Sequence, residues 1–243
     1  MTGVSVIIPV LKDDAALARL LSRLSLMSPC QIIIADAQNR ARLPAQIIPE
    51  TLCVDHISTK RGRGPQIKAG IDAAHHNTLW VLHADSLPDK GALKVIQNAL
   101  ANPTISLTSF TLKFDSSRLA LRLFAWFARW DSPVSTFGDQ GYAFRKSDYD
   151  ALNLNLDNYP LMEDVVLRSA LKKRGHIKRS PLTIKTSARR FEKYGVMKTQ
   201  WLNLQMLWRF WRGENAQKLY DIYYGANFKT MAAKDTRLKC DLP

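Results

Sequence analysis

The sequence predicts an α/β protein with a mostly parallel central sheet, helices on both faces of that sheet, and aromatic helices near the C-terminus. Apolar, β-branched runs at residues 4–10, 31–36 and 78–82 predict the sheet, because strands buried on both faces are apolar along their whole length. Segments with helical spacing of apolar residues lie between or after these runs. That alternation is typical of right-handed βαβ units.

The first hundred residues carry the parallel part of the prediction. The strand over 4–10 ends its pairing at Pro9, and Asp13 or Asp14 can cap the helix that follows. The second strand ends at Asp36. The remaining predicted elements are a short strand over 51–55, a helix that starts in the loop 61–66 and runs toward residue 75, a strand over 78–82, and a helix over 88–101.

The second half of the chain predicts a mixed extension of the sheet. Residues 104–114 alternate and are β-rich, so an antiparallel or mixed section begins there. The other predicted elements are helices over 118–130, 163–175 and 201–212 and strands over 142–145 and 181–186. We expect an α/β domain over 1–195, an amphipathic aromatic helical extension over 196–228 and a polar tail over 229–243.

Composition narrows the class of partner. The 243 residues include 35 Lys and Arg against 21 Asp and Glu, a formal charge of +14. Such a charge favours anionic partners, which include nucleotide phosphates and anionic membranes. The basic residues are scattered and no recognition motif is present, so we do not expect nucleic-acid binding.

Targeting signals and cysteines indicate the compartment. The sequence starts on a strand pattern rather than a signal peptide, and no apolar run reaches transmembrane length. Three cysteines without metal-ligand spacing fit a reducing compartment. We therefore expect a cytoplasmic protein, with peripheral binding at the inner membrane face as an alternative. The apolar faces of the two aromatic helices fit the protein's own core, a homodimer interface or a membrane surface.

Acidic residues at strand ends are the first candidates for a site. His83-Ala84-Asp85-Ser86 follows a buried strand, as Asp36 ends another. The carboxyl edge of an open α/β sheet is where ligands bind, and a carboxylate there suits Mg²⁺ or Mn²⁺. Taken alone, the tetrapeptide fits a polar turn equally well.

Two further segments have both a structural and a functional interpretation. The basic, glycine-rich stretch Arg61-Gly62-Arg63-Gly64 enters a helix, where an anion would be stabilised, but it also fits an ordinary loop. Glu163 and Asp164 open another helix, and stabilising a helix N-terminus is a sufficient reason for acids there.

Together these segments resemble the family 2 glycosyltransferases, which have the GT-A nucleotide-diphospho-sugar transferase fold. A bacterial subgroup associated with arsenosugar biosynthesis or radical-SAM/selenodomain genes is the nearer resemblance. The resemblance to the family covers roughly residues 3–212. The segments that carry it are Ser5-Val6-Ile7-Ile8-Pro9-Val10-Leu11, Arg61-Gly62-Arg63, Leu82-His83-Ala84-Asp85, Gly138-Asp139-Gln140, Leu161-Met162-Glu163-Asp164-Val165 and Thr186-Ser187-Ala188-Arg189-Arg190.

The resemblance implies transfer of a sugar from a nucleotide-diphospho-sugar to a hydroxyl acceptor, metal-assisted and inverting. Asp164 would be the base, with Glu163 as an orienting or alternate acid. Asp85 would hold the divalent cation, Mg²⁺ or Mn²⁺, and Arg190, with Arg189 as a second candidate, would neutralise the diphosphate.

The same resemblance assigns the donor and acceptor contacts. Residues implied around the nucleotide are Pro9, Val10, Asp13, Asp36 and the loop Arg61–Gln66, which includes Arg61 and Gln66 themselves. Asp139, within Gly138-Asp139-Gln140, would lie near the sugar or the acceptor.

Departures from the family pattern cluster on the nucleotide side. His83 stands where many relatives have a second acid, and Lys12 and Lys68 replace the usual asparagines. The hypothesis is an active transferase in which these lysines add positive charge near the phosphates. The alternatives are a degenerate transferase that binds a nucleotide-sugar or a membrane surface, and a nucleotidyltransferase of the same fold.

Overall fold

In the computed structural model, residues 3–28, 31–127 and 138–224 are described. They form one mixed eight-stranded sheet with helices on both faces. The strands are β1 (Val4–Val10), β2 (Gln31–Asp36), β3 (Val54–Ser58), β4 (Thr78–Val81), β5 (Leu87–Pro88), β6 (Ile105–Phe114), β7 (Tyr142–Arg145) and β8 (His176–Thr186). The helices are α1 (Asp14–Ser25), α2 (Arg63–Asp72), α3 (Ala92–Leu100), α4 (Leu119–Phe127), α5 (Lys146–Asp150), α6 (Glu163–Lys172), α7 (Arg189–Tyr194), α8 (Val196–Trp211) and α9 (Ala216–Tyr224).

The sheet order is β3-β2-β1-β4-β7-β6-β8-β5. Strands β3, β2, β1 and β4 pair in parallel, as the sequence predicts. β7 is antiparallel to both β4 and β6, and β5 is antiparallel to β8, whereas β6 and β8 are parallel. The predicted mixed section therefore begins beyond β4.

Alternation along β1 divides the core between the two faces of the sheet. Val6 and Ile8 pack in one apolar cluster with the leucines of α1 and with Ile96 of α3. Ile7 points to the other face, where it packs with residues of α2 and α6. The period of two in a strand thus places helices on both sides, which confirms the predicted architecture.

Several predicted boundaries were wrong by a few residues. The third strand covers Val54–Ser58 rather than 51–55. The helix predicted from residue 88 begins at Ala92, because Leu87–Pro88 pair with β8 instead. The helix predicted over 118–130 runs Leu119–Phe127, and its last three residues lie outside the described part, as does the expected tail over 229–243.

The strand predicted over 181–186 begins earlier, at His176. Its residues His176 to Ser180 pair in parallel with β6, and the register then shifts between Phe110 and Thr111. Pro181 lies at this irregularity. A proline has no backbone N–H to give to a ladder, so a bulge accommodates it inside the strand.

The C-terminal helices pack onto the rest of the chain. Val196 of α8 joins Phe114 of β6 and Phe191 of α7 in one apolar cluster. Met206 of α8 and Leu219 of α9 pack with Leu161, which lies just before α6. None of the described helices is both long and apolar enough to cross a bilayer.

Candidate active site

Two cavities meet at the carboxyl ends of β1 and β4. The strand-end cavity has a volume of about 210 Å³ and is lined by Pro9, Asp13, Gln66, His83, Tyr220 and Tyr224, among others. The helix-lined cavity has a volume of about 200 Å³ and is lined by Asp139, Glu163, Asp164, Arg190, Phe124 and Tyr223, among others. Arg63 and Asp85 line both cavities. They therefore mark the place where ligands in the two cavities would meet.

The glycines of the basic loop explain how Arg63 reaches this position. A Cβ on Gly62 would lie 2.6 Å from the Pro160 side chain, and one on Gly64 would lie 2.2 Å from the Tyr159 carbonyl oxygen. Gly62 also has φ +120°, which L side chains rarely adopt. The Arg63 N–H donates to the Pro160 carbonyl at 3.1 Å. The loop is thus held against the segment that leads into α6.

Arg63 is a half-buried cation that faces acidic groups. Burial by itself lowers the pKa of Arg63, but Tyr224, Glu163 and Asp139 raise it well above its ordinary value. Its guanidinium therefore stays charged at the junction of the cavities, where it can meet an anionic ligand.

Asp85 follows β4 and opens onto both cavities. Burial and the charge of Asp139 raise the pKa of Asp85, while His83 and Arg63 oppose the rise. Two carboxylates thus share one polar region. A cation bound there would relieve their repulsion.

Asp139 is paired with His83 at the edge of the helix-lined cavity. His83 Nδ1 donates to Asp139 Oδ1 at 2.6 Å. The Asp139 side chain is 44% exposed because it faces the cavity. Burial by the cavity walls would raise the pKa of Asp139, but the His83 hydrogen bond and charge, with Arg63 and Arg190, hold it well below its usual range. Asp139 is therefore an anion at neutral pH.

Asp164 is oriented by two backbone N–H groups. Its Oδ2 accepts from Gly138 N at 2.9 Å and its Oδ1 accepts from Val165 N at 2.8 Å. A Cβ on Gly138 would lie 3.2 Å from His83 Nε2 and 3.3 Å from Asp164 Cβ. Glycine thus lets the turn 138–140 touch both His83 and Asp164, which fixes the carboxylate at the cavity wall.

Glu163 lies in a different environment from its neighbour. It is 1% exposed, and its Oε1 has no hydrogen-bond partner among the described residues. Burial and the charge of Asp164 raise the pKa of Glu163 to about 8, against the opposing charge of Arg63. Glu163 is therefore protonated at neutral pH. Met162, just before it, has φ +66°, a strained conformation that turns the chain into α6.

Arg190 is held against the C-terminal helix. Its guanidinium lies over the Tyr223 ring, 4.1 Å from the ring centroid, and Nη1 donates to the Tyr223 hydroxyl. Burial raises the pKa of Tyr223 to about 12, so the hydroxyl stays neutral. Arg190 lines the helix-lined cavity, and its predicted contact with the diphosphate stays a prediction.

The predicted nucleotide contacts divide into two groups. Pro9, Asp13 and Gln66 line the strand-end cavity. Val10 is buried and does not line this cavity. Arg61 is exposed and lies outside the two cavities, and Arg63 lines the strand-end cavity in its place. Lys12 and Lys68 line neither cavity, and Lys68 pairs with Asp72 at 2.6 Å.

Gln66 and Asp13 have partners within the protein. Gln66 Nε2 donates to the carbonyls of Val10 at 2.8 Å and Ala35 at 2.7 Å, so it ties the ends of β1 and β2 together. Asp13 pairs with Arg189 of α7, with 2.5 Å between Oδ2 and Nη2. This ion pair crosses from the β1 end to the end of β8.

Asp36 is fully buried and engaged by the protein. Its carboxylate accepts from Gln38 N at 2.9 Å and from Arg40 Nε, with His56 Nε2 at 3.2 Å. Arg40 also forms a bidentate pair with Asp14, at 2.7 and 2.8 Å. Asp36 lines neither of the two cavities. Its predicted contact with the nucleotide stays a prediction, and its evident role is to position Arg40.

Sequence reasoning missed the contribution of α9. Tyr220 and Tyr224 of this helix line the strand-end cavity, and Tyr223 lines the helix-lined cavity. The only available signal was the cluster of tyrosines at 220, 223 and 224. The sequence does not reveal that a helix 130 residues downstream covers the end of β4.

The residues around Asp85 fit a divalent cation held jointly with a ligand. In the described ranges 3–28, 31–127 and 138–224, no three carboxylate, imidazole or thiol groups form a preformed metal cluster. Asp85, with Asp139 nearby, offers hard oxygen atoms, and Mg²⁺ commonly takes one or two protein carboxylates plus substrate phosphates. The donor set thus suits a cation completed by phosphate oxygens.

Comparison with known proteins agrees with this geometry. The family model described as "Glycosyl transferase family 2" matches residues 5–151, more than half of the chain. The chain belongs to glycosyl transferase family 2. The matched region of this family 2 protein contains β1, β4, Asp85, His83 and Asp139. No curated protein sequence matches the chain.

Solved structures show that this family 2 chain has the GT-A fold. A mannosyltransferase from Pyrobaculum calidifontis, in complex with GDP-Man and Mn²⁺, is 15% identical with a TM-score of 0.66, covering 85% of this chain and 62% of that one. S. aureus TarS 1-349 is 14% identical with a TM-score of 0.58, covering 82% and 64%. Its complex with UDP-GlcNAc is 13% identical with a TM-score of 0.58, covering 76% and 58%. The chain thus spans less than two thirds of the length of these proteins.

Proposed function

We propose that the protein transfers a sugar from a nucleotide-diphospho-sugar bound in the strand-end cavity to a hydroxyl acceptor bound in the helix-lined cavity. One observation carries the proposal. Arg63 and Asp85 line both cavities, while Asp164 lines only the helix-lined one. An anion-binding junction with a carboxylate on one side of it suits displacement of a diphosphate by a hydroxyl.

The complexes of similar structures support the choice of donor. The Pyrobaculum calidifontis mannosyltransferase holds GDP-Man and Mn²⁺, and S. aureus TarS holds UDP-GlcNAc. Both ligands are nucleotide-diphospho-sugars. We extend this ligand class, without a specific base or sugar, to the strand-end cavity.

Asp164 is the proposed base. Its two backbone hydrogen bonds orient the carboxylate toward the helix-lined cavity. As the acceptor oxygen bonds to the anomeric carbon, its proton passes to Asp164 and the bond from that carbon to the diphosphate breaks. With the diphosphate at the Arg63–Asp85 junction and the sugar extending into the helix-lined cavity, a hydroxyl beside Asp164 would attack the face opposite the diphosphate. This arrangement supports inversion.

The neighbouring acid has a different proposed role. Glu163 is neutral at pH 7 because its pKa is about 8. We assign it to positioning Asp164 and Arg63 rather than to accepting the acceptor's proton.

Departure of the diphosphate requires positive charge. Arg63 at the junction, with Arg190 at the wall of the helix-lined cavity, would neutralise the phosphate oxygens. Asp85, with Asp139 nearby, would hold Mg²⁺ or Mn²⁺. When bound, that cation would stabilise the charge that develops on the leaving nucleoside diphosphate.

The decisive experiment combines donor binding and turnover. Calorimetric titration with a panel of nucleotide-diphospho-sugars and Mn²⁺ should identify a donor, and hydrolysis of that donor should then be measured for wild type and Asp164→Asn. We expect a loss of about 100-fold or more. Asp157→Asn, an exposed carboxylate in a nearby loop, is the matched control and should keep wild-type turnover.

The other outcomes identify the alternatives. If no donor binds, the chain is a degenerate member of the family. Release of pyrophosphate instead of a nucleoside diphosphate would indicate a nucleotidyltransferase. Unchanged turnover of Asp164→Asn would show that the base is another group.

The proposal also covers the domain organisation of the protein and its attachment to a membrane. We infer that residues 196–224, the described part of the expected extension over 196–228, act with the catalytic domain as one unit, since α9 supplies walls of both cavities. Peripheral attachment to an anionic membrane is supported by the exposed apolar residues of α4 and α8. A cytoplasmic location and membership of the arsenosugar or selenodomain-associated subgroup stay predictions.

A further inference from the structure

The outer faces of α4 and α8 are apolar and exposed. On α8 the exposed residues recur at steps of four and three, which places them on one face. α4 repeats the pattern over a shorter length. This apolar surface, with residues 46 to 82% exposed, consists of Leu119, Leu123 and Trp126 of α4 and Met197, Trp201, Leu204, Trp208 and Trp211 of α8. Exposed apolar patches of this kind mark interaction sites.

The inner faces of the same two helices line the helix-lined cavity. Phe124 of α4 and Met206 and Leu207 of α8 are among its walls. Phe124 also packs near Phe114 and Phe191, with ring centroids 6.0 and 6.4 Å away. The lining of this cavity therefore combines aromatic and aliphatic side chains with the carboxylates of Asp164 and Asp139. A cavity of this composition suits an amphiphile.

The charged residues within the two segments that carry the apolar surface are all basic, although Arg209 pairs with Glu214 just beyond α8, with 2.5 Å between Nε and Oε2. Residues 116–127 and 193–213 contain no Asp or Glu. The Lys and Arg residues of these two segments are Arg118, Arg122, Lys193, Lys198, Arg209 and Arg212. Helices with tryptophan on one face and basic residues beside it suit the interface of an anionic bilayer. A second copy of this +14 chain would bring like charges together, which favours the bilayer as occupant.

We propose that the acceptor is a membrane amphiphile, a hydroxyl group carried on an apolar chain, which enters from an anionic bilayer on which the apolar surface lies. This inference rests on the proposed function and names the chemical class of its acceptor. The chain lies against Phe124 and Leu207 between α4 and α8, and the hydroxyl reaches Asp164. Transfer forms the bond from the acceptor oxygen to the anomeric carbon, breaks the bond to the diphosphate, and leaves the proton on Asp164.

Binding of simple alcohols tests the cavity without any requirement for turnover. Calorimetric titration with n-butanol, n-hexanol and n-octanol should show affinity that rises about fourfold for each added methylene group, as expected for apolar burial. Phe124→Ser should weaken n-octanol binding at least fivefold. Leu123→Ser, the neighbouring residue on the exposed face, is the matched control and should leave it unchanged. Affinity independent of chain length would overturn the proposal.

Vesicle binding tests the surface. The full chain should co-sediment with vesicles of phosphatidylcholine and phosphatidylglycerol at low salt, and several-fold less with phosphatidylcholine alone. Trp201→Ser and Trp208→Ser should each reduce co-sedimentation at least threefold, whereas Phe124→Ser should not. A dimer that Trp208→Ser converts to monomer, without vesicle binding, would overturn the proposal in favour of a subunit interface.

The failures of the two proposals are distinguishable. If wild type binds and hydrolyses a nucleotide-sugar but binds neither n-octanol nor vesicles, the amphiphile proposal is wrong and the proposed function stands. If n-octanol and vesicles bind but no nucleotide-sugar does, the transferase function fails and the acceptor role fails with it. Transfer to n-octanol that exceeds transfer to n-butanol would support both.

Discussion

Asp36 ends strand β2 and Asp85 lies four residues beyond the parallel strand β4, and the protein places the two carboxylates in opposite environments. At the end of β2, Asp36 is fully buried and its oxygens are taken by Arg40, His56 and a backbone N–H. At the end of β4, Asp85 opens onto two cavities and faces the like charge of Asp139. An acid at a strand end therefore marks a ligand site only where the fold leaves it without enough countercharge.

Removing Arg40, the cation that pairs with Asp36 at the end of β2, should produce the largest loss of stability. Arg40→Met leaves Asp36 buried with only a histidine near it, and breaking a buried ion pair commonly costs about 3–5 kcal/mol. The loss would appear as a lower free energy of unfolding in urea. Arg42→Met, an exposed arginine two residues away, should leave stability unchanged. Equal stability of the two variants would show that the contrast between the strand ends is not energetic.

Glu163 tests what burial does to an acid that has no cation bonded to it. Its folded pKa is about 8 against an ordinary value of 4.5, so only the unfolded chain ionises between these values. Stability should fall as pH rises from about 4.5 to 8, by up to roughly 5 kcal/mol at about 1.4 kcal/mol per pH unit. Glu163→Gln should abolish this contribution and be more stable than wild type at pH 8.

Urea unfolding at several pH values measures that difference, and donor hydrolysis at pH 7 should change little in the same variant. Glu50→Gln, an exposed glutamate, is the matched control and should retain the wild-type pH profile. A Glu163→Gln profile identical to wild type would show that Glu163 is already ionised in the folded protein.

Substitution of Asp85, after β4, should impair activity and not stability, whereas loss of the partner of Asp36, at the end of β2, should impair stability. Asp85→Asn should lower Mn²⁺-dependent donor hydrolysis about 100-fold, because the charge on the leaving group loses its support. Because its raised pKa means that the ionised carboxylate is disfavoured in the fold, the variant should unfold at the same temperature as wild type or higher. Titration of Mn²⁺ with a nucleoside diphosphate should show weaker binding. A marked loss of thermal stability would place Asp85 in the same class as Asp36.

The smallest expected effect is on ligand affinity, at the wall of the strand-end cavity that α9 supplies. Tyr224→Ala removes an aromatic face from the strand-end cavity and should weaken nucleoside diphosphate binding about fivefold, equivalent to roughly 1 kcal/mol. Calorimetric titration would measure it. Tyr194→Ala, outside the two cavities at the end of α7, should bind like wild type. Unchanged affinity of Tyr224→Ala would limit the role of α9 to packing.

Local patterns predicted much of this molecule. The strand runs ending at Pro9, Asp36 and Asp85 and the helix opening at Glu163 follow from apolar spacing and from helix N-terminal preferences, which act over a few residues. The bulge at Pro181 was missed because only pairing with β6 reveals it. Likewise, the Arg40 pair with Asp14 joins residues 26 apart, and nothing in the sequence distinguishes this arginine from one in a solvated loop.

Sequence patterns singled out the acids that line the cavities, but they did not reveal the other walls of the cavities or the pairings between side chains. Asp139 beside His83, and Tyr224 near Arg63, are contacts between distant parts of the chain. Sequence spacing carries no information on them. The choice between Glu163 and Asp164 as base also depends on burial, which the adjacent positions of the two residues cannot reveal.

Tyr223 and Tyr224 are adjacent in α9, with ring centroids 4.9 Å apart, yet they line different cavities. A ligand that displaces this turn of α9 from one side therefore moves a wall on the other side. Thermodynamic linkage makes such coupling reciprocal: a donor that tightens acceptor binding is itself bound more tightly by the same factor when the acceptor is present. One helical turn thus gives cooperative binding of donor and acceptor a structural basis.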